Sequence, residues 1–438
     1  MVNEHWKNCS PEDTVARIDK LMRNYDLTLK CMWAEENNLG VYANTIRPFG
    51  QMPCFKTGGK GITPDYALAS GYAEFIERFQ TFMTYYRTYF IPYFADETIN
   101  PDTKMGQYPY LNLLTGEAEI LSSHYTYSTG MASGNTDAEA IVHAICEVVE
   151  RQSIVDFIDG KLQVNSRLPL NYFDLHFEKL EDLIDGKVQL FDVGRFGIPT
   201  VAMICRNEMT KQLLFKIDCG PTLELAAERC LTEFFQNNPP TKDMKFYQWQ
   251  GMISSKEVDK DVLYGVLVDY HVGPIPYDLI EGIENAPVRE EVISYTFETE
   301  KDLIQTYINS CKKYNDYKGL YLRDFKWAGF PTVYLYIQEL IDREHQKFSP
   351  GELYSSIMAY MTHEYELYNG DNPAIIESLM RQLVVMYLGK GDPVMISKRY
   401  NNQEVNTYVL QLKNMIEKMK ESCKVFSMDI ENFKSICL

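Results

Sequence analysis

The chain reads as an α+β protein of mixed sheets and helices, and three features of its 438 residues say so. Several helix starts carry a Ser or Thr cap followed by proline and acidic residues. Short alternating runs open on a glycine beside an aromatic or aliphatic residue. Helices and strands also follow one another without the strict alternation that a doubly wound parallel sheet demands.

In chain order, Ser10-Pro11-Glu12-Asp13 combines an N-cap, proline at the first helical position and an acidic first turn. It predicts a helix to about Asn24. Leu39-Gly40-Val41-Tyr42-Ala43 reads as a strand, and Thr63-Pro64-Asp65 opens a longer helix to about Tyr86. Thr136 and Glu139 have capping-box spacing and predict a helix to about Asp159. Strands are expected over Val188–Asp192, Phe196–Ile204, Leu213–Asp218, Leu320–Asp324 and Ala328–Tyr336. Pro199 and Pro331 suit strand starts, where a missing N–H is tolerated. The shared pattern at Gly40, Gly197 and Gly329 hints at related units within one fold. Beyond about residue 348 the pattern turns helical, with starts at Ser349-Pro350 and Asn372-Pro373 and a Lys/Glu-rich helix over Asn402–Cys423. The expected division is a main domain over 1–348 and a short α-helical C-terminal extension over 349–438.

Composition excludes several classes. Net charge is −18 with no basic stripe, which argues against direct nucleic-acid binding. No stretch approaches the roughly 20 apolar residues of a membrane span. The N-terminus lacks a signal-peptide core, and ten dispersed cysteines form no Cys-x-x-Cys pair or Cys/His cluster. Neither a disulfide framework nor a zinc site is indicated, and a cytoplasmic location is expected. The acidic surface permits basic partners such as ribosomal proteins or basic leader peptides.

Function is signalled by four acidic helical stretches: Ser70–Arg78, Glu139–His143, Cys146–Arg151 and Glu228–Gln236. Ser70, Glu74, Glu77 and Arg78 recur three and four places apart, as do Glu139, His143, Glu147, Glu150 and Arg151. At about 100° per residue each set forms one stripe, set among Ala, Ile, Val and Phe. Any one stretch could be a solvated Glu–Arg pair, and His143 alone could be a satisfied core histidine. Two matching Glu-x-x-Glu-Arg units, at Glu74-Glu77-Arg78 and Glu147-Glu150-Arg151, would instead present four carboxylates to one centre. Like charges in a poorly solvated site need a counter-charge. Oxygen-only ligands favour Mg²⁺, which brings a nucleotide triphosphate as its natural companion.

Thr57-Gly58-Gly59-Lys60-Gly61 precedes the first acidic helix and reads either as a phosphate cradle or as a flexible turn. It is not a Walker A loop. Glu233 and Gln236 add a carboxylate–amide pair suited to ribose or phosphate–metal contacts.

Together these motifs resemble the YcaO family over about residues 7–340. They match its Gly-Lys-Gly block, its Ser-x3-Glu-x2-Glu-Arg block and its Glu-x2-Gln pair. They also match its Gly-Asn-Thr-x2-Glu-Ala-x2-His/Gln-x3-Glu-x2-Glu-Arg block at Gly134–Arg151, while Lys7, Thr14, Arg17 and Ile46-Arg47-Pro48 resemble further family positions. The resemblance implies a YcaO-type ATP-binding fold with ATP and Mg²⁺ as cofactors, and Glu74, Glu77, Glu147 and Glu150 as metal ligands. It implies nucleoside contacts from Asn135 and Glu139. Lys60, Arg78, Arg151, Glu233 and Gln236 are implied to contact or orient phosphates and ligands, and Lys7, Thr14 and Ser70 complete the cofactor-binding set.

Many family members phosphorylate a backbone amide oxygen and so form an azoline or a thioamide. The implied function is this activation on a peptide or protein substrate, with a sulfur-donor or leader-binding partner and a homodimeric state. The alternative is an ATP-binding accessory factor for ribosomal-protein β-methylthiolation. Ala132 stands where the family often has serine, and the family's proline-rich tail and fused leader-binding domain are not found. A self-sufficient cyclodehydratase is therefore not expected. No catalytic base is assigned, with His143, His124 and the C-terminal groups all open.

Overall fold

Local chemistry sets the element boundaries. Helix α1 (Pro11–Arg23) starts where the Ser10 hydroxyl oxygen accepts the Asp13 N–H, 3.1 Å away. Helix α2 (Pro64–Tyr89) begins at the expected proline. Helix α3 (Asp137–Ile158) is capped by Thr136, whose side chain accepts the Glu139 N–H. The Glu139 carboxylate reaches back to the Asn135 N–H at 3.2 Å, a capping box closed one residue early. These contacts come from a computed structural model that describes residues 6–34, 39–48, 57–89, 107–122, 129–207, 209, 212–235, 248–251, 254–270, 273–286, 295–314, 317–337, 339–340 and 428–438.

Three sheets organise the described residues. Strands β1 (Leu29–Trp33), β2 (Tyr42–Pro48) and β3 (Thr57–Gly61) form an antiparallel sheet in that order. Strands β4 (Gln107–Asn112), β5 (Ala118–Ser122) and β6 (Met131–Ser133) join β13 (Leu320–Asp324) and β14 (Thr332–Ile337) in a five-stranded sheet ordered β5-β4-β13-β14-β6. The third sheet is six-stranded, ordered β12-β11-β10-β9-β8-β7. Its strands are β7 (Ser166–Leu168), β8 (Lys187–Asp192), β9 (Thr200–Asn207), β10 (Gln212–Cys219), β11 (Gln248–Gly251) and β12 (Gly273–Pro276). Only β11 and β12 pair in parallel there, so the mixed α+β class is observed.

Pro199 and Pro331 fall immediately before β9 and β14, as expected. Gly197 and Gly329 just upstream take φ of 76° and 94°, a left-handed turn open to glycine at little steric cost.

Helix α3 is the hub. It packs on β6 and β14 of one sheet and on β10 of another. Ile141, Ile145, Val148 and Val149 are buried among Leu111, Val333 and Leu335 on one side and Phe215 and Ile217 on the other. Each such side chain contributes about 1.5–3 kcal/mol of burial. Helix α5 (Leu223–Phe235) covers the other face of β9 and β10, with Ala226, Ala227 and Cys230 fully buried; the short α4 (Phe177–Ile184) lies beside it in the same core.

The remaining helices are α6 (Lys260–Gly265), α7 (Tyr277–Glu284), α8 (Glu300–Tyr314) and α9 (Ile430–Cys437). Helix α9 docks into the main core through Phe433 and Cys437. Its Asn432 amide donates to Asp137 Oδ2 at 3.0 Å, tying the chain's last helix to the first turn of α3. The boundary at residue 348 and the helices expected over 349–423 lie outside the described residues.

One expectation is corrected. Thr57–Gly61 is neither an anion-cradling loop nor a flexible turn but strand β3, paired residue for residue with β2. Its glycines serve packing: a Cβ on Gly59 would lie 2.1 Å from the Ala67 carbonyl oxygen and 2.6 Å from the Gly71 nitrogen on α2. The strand thus presses backbone to backbone on α2, and the alternation turns Lys60 the opposite way. Gly59→Ala is expected to destabilise the protein by about 1–3 kcal/mol, because the clash is with backbone that cannot turn aside. Urea unfolding at equilibrium checks this.

Candidate functional site

The helical period places Glu74, Glu77 and Arg78 on one face of α2, and Glu139, His143, Glu147, Glu150 and Arg151 on one face of α3. Both stripes sit in apolar helices, so their charges are poorly solvated; Glu77 and Glu150 are each 7% exposed. Arg78 Nη1 lies 3.3 Å from Glu77, and its Nε 3.8 Å from Glu74. On α3 the same motif repeats the same pairing, with Arg151 3.5 Å from Glu147 and ion-paired to Glu150. The Ser133 N–H donates to Glu77, and the Gly130 N–H donates to Glu147 Oε2 at 3.2 Å.

Burial, joined by the Glu147 and Glu74 carboxylates, pushes the Glu77 carboxyl up to about 8 against the pull of Arg78. Carboxylates from two helices therefore act on one another across a shared space. Among the described residues, no three His, Cys, Asp or Glu side chains are gathered as a ready-made metal cage. Each glutamate pair is drawn onto its own arginine instead. The donor set is nevertheless carboxylate oxygen alone, with Glu77 and Glu150 buried, and that chemistry fits a hard divalent cation such as Mg²⁺.

Lys60 on β3 closes this space from the sheet side and is ion-paired with Glu233 on α5. Burial lowers its pKa to about 8 against the opposing pull of Asp218 and Glu74. Lys60 and Glu233, expected as cofactor contacts on separate motifs, are thus brought together. Ser70 stands one turn before Glu74 on α2 and is half-buried.

A second group gathers at the N-terminus of α3. Lys7 Nζ lies 3.1 Å from both Glu139 Oε1 and His143 Nε2. Thr14 Oγ1 lies 2.9 Å from the Ser10 carbonyl and 3.1 Å from Asn135 Oδ1, and its single proton serves one of them at a time. Arg17 donates to the backbone carbonyls of Asn135 at 2.9 Å and Gly329 at 3.2 Å. His143 Nδ1 is 3.0 Å from the Ser133 carbonyl, an acceptor only. Nδ1 therefore carries the proton, and Nε2 accepts from the Lys7 ammonium. Burial and the Lys7 and Arg229 charges lower His143 to about 3, so the ring is neutral at physiological pH. For Glu139, burial is outweighed by the charge and hydrogen bond of Lys7 and by the Asn135 N–H, and its carboxyl lies below the usual range.

Three further charged residues join the site. Lys216 and Asp218 on β10 and Arg229 on α5 act electrostatically on Lys60. The Arg229 Nη1 donates to the Cys219 carbonyl at 2.9 Å. Their signal is visible in Leu213-Leu214-Phe215-Lys216-Ile217-Asp218-Cys219, where two charges alternate within an apolar strand. Gln236 and His124 lie outside the described residues.

A family model described as YcaO cyclodehydratase, ATP- and Mg²⁺-binding, matches residues 92–337. Among solved structures, the chain is similar to one described as a heterocyclase in complex with substrate and cofactor, at 16% identity and a TM-score of 0.49. That match covers 76% of this chain and 52% of the other, so the chain spans about half the length of that protein. It is also similar to YcaO from Methanopyrus kandleri bound with AMPPCP and Mg²⁺, at 17% identity and a TM-score of 0.44, covering 76% of this chain and 91% of that one. No curated protein matches the chain. No helix among the described residues is long and apolar enough to cross a membrane.

The neutral His143 sets a pH dependence of stability. The unfolded chain takes up a proton near 6.5, whereas the folded site resists one down to about 3. The contribution is full above pH 6.5 and is lost as pH falls below it. Between pH 7.5 and 5.5 the wild type is expected to lose about 1 kcal/mol more than His143→Gln, read by urea unfolding of both proteins.

Proposed function

The chain belongs to the YcaO cyclodehydratase family, an ATP- and Mg²⁺-binding family, and from that premise we propose that it activates a backbone amide of a peptide or protein by phosphorylation. The observation that carries this reading is the pairing of two Glu-x-x-Glu-Arg units, one on α2 and one on α3, whose buried carboxylates act on one another beside Lys60. In the proposal Glu74, Glu77, Glu147 and Glu150 hold Mg²⁺. Asn135 and Glu139, fixed by Thr14 and Lys7, address the nucleoside. Lys60, Arg78 and Arg151, with Glu233 and Gln236, orient the triphosphate, and Ser70 lies beside it on α2.

An amide oxygen is a poor leaving group, and phosphorylation removes that obstacle. The oxygen attacks the γ-phosphorus, an O–P bond forms, and ADP departs. A nucleophile then bonds to the former carbonyl carbon, losing its proton, and phosphate leaves with the oxygen. A Cys, Ser or Thr side chain as nucleophile gives an azoline, the amide nitrogen also releasing its proton as the C=N bond forms, and sulfide gives a thioamide. Bound Mg²⁺ offsets charge on the phosphates during transfer. The arginines and Lys60 hold those phosphates in line and are positioned in advance by their carboxylate partners.

The proposed substrate is a peptide or protein, delivered with a sulfur-donor or leader-binding partner. A homodimer, a cytoplasmic setting and a main domain ending near residue 348 belong to the same proposal. Titration of Mg-ATP into the protein by calorimetry is expected to show Mg²⁺-dependent binding. In a Glu77→Gln/Glu150→Gln variant it should weaken by at least about 100-fold, as two ionic contacts are lost. Equal binding by both proteins would defeat the metal assignment. Binding without any change in the mass of candidate peptides given ATP and sulfide would move the weight to an accessory role in β-methylthiolation.

A further inference from the structure

Lys216 is buried to 4% exposure in the middle of β10. Its ammonium makes no hydrogen bond or ion pair with any described residue. Burying an unpaired charge is expensive, so a group in this position calls for a partner. The charged side chains acting on it are Glu150 and Arg151 from α3 and Asp218 from β10, and Lys60 on β3 stands in the same field.

None of these already claims it. Glu150 is ion-paired with Arg151, and Lys60 with Glu233. Asp218 is the natural counter-ion, two residues along on the same strand face. Yet its Oδ1 accepts the Cys219 N–H at 2.8 Å, and its fully buried Oδ2 has no partner. Had Lys216 been placed to neutralise Asp218, that oxygen would carry the bond. Lys60, Lys216, Arg151 and Arg229 instead bring four cationic groups toward one space from β3, β10, α3 and α5. A polyanion is the ligand that such a convergence suits.

We infer that Lys216 is an anion-binding residue of this site, contacting a phosphate oxygen of the bound nucleoside triphosphate. The inference rests on the nucleotide-site reading above. It adds a sheet-borne wall to a site that the motifs had drawn from helices and from Lys60. A lysine is apt here because its ammonium is a compact point charge on a flexible stem.

The experiment compares wild type, Lys216→Met and Lys216→Arg by calorimetry, with the non-hydrolysable analogue AMPPNP plus Mg²⁺ and, separately, with adenosine. Methionine keeps the volume and the apolar stem, and thermal melting of each variant checks that the fold is kept. Lys216→Met is expected to bind AMPPNP about 10- to 100-fold more weakly, to bind adenosine as wild type does, and to be partly restored in Lys216→Arg. Equal AMPPNP affinity in wild type and Lys216→Met would overturn the inference and leave Lys216 an internal counter-charge. Equal loss of adenosine and AMPPNP binding would also overturn it, by showing a general disturbance of the pocket. Failure of wild type to bind AMPPNP would overturn the nucleotide-site reading itself, and this inference with it.

Discussion

Carrying a row of carboxylates into the most buried layer of the protein is the constraint on which the rest depends. Helix α3 lies between two sheets, and its apolar positions leave no solvent on either side for Glu150, 7% exposed, or Glu139, 2% exposed. Several features of the site answer that electrostatic demand. Arg151 follows Glu150 directly and reaches back one turn to Glu147. Lys7 comes from the far N-terminus to meet Glu139. Glu77 on α2 is pushed up to about 8 by burial and by its acidic neighbours. In the proposed function a divalent cation on a triphosphate would meet the same demand from outside the chain, which would make ligand binding and local stability two readings of one charge balance.

The sheets set where those helices can stand. Gly59 lets β3 approach the backbone of α2 closely, which fixes the Glu74–Arg78 face relative to Lys60. The six-stranded sheet presents one face to α3 and the other to α5, so Phe215 and Ile217 pack on one side while Leu214 packs on the other. Lys216 and Asp218 share that second face by the two-residue period of the strand. At the other end of α3, Asp137 is held by Lys326 at 2.9 Å and by Asn432 at 3.0 Å. The helix is anchored at the turn that supplies Asn135 and Glu139.

Much of this was legible in the residues. Caps and prolines placed α1, α2 and α3 within a few residues, because local hydrogen bonding decides those boundaries. The acidic stripes were legible because a period of three and four survives in sequence. The short strands β6, β7, β11 and β12 were not, since three or four residues carry no usable alternation. The Gly58–Lys60 segment misled for a different reason. Glycines serve close backbone packing as readily as loop formation, and only the partner helix decides between them. Lys216 and Asp218 escaped notice as site residues because their strand pattern was plain while their neighbours in space come from three other elements.

The claim that the two Glu-x-x-Glu-Arg units share divalent cations on a triphosphate is tested most directly by anomalous diffraction from crystals grown with Mn²⁺ and AMPPNP. The account predicts manganese peaks bridging the phosphates to carboxylates of both helices, Glu74 or Glu77 on one side and Glu147 or Glu150 on the other. Nucleotide bound with manganese on neither set, or peaks confined to carboxylates elsewhere on the acidic surface, would contradict it.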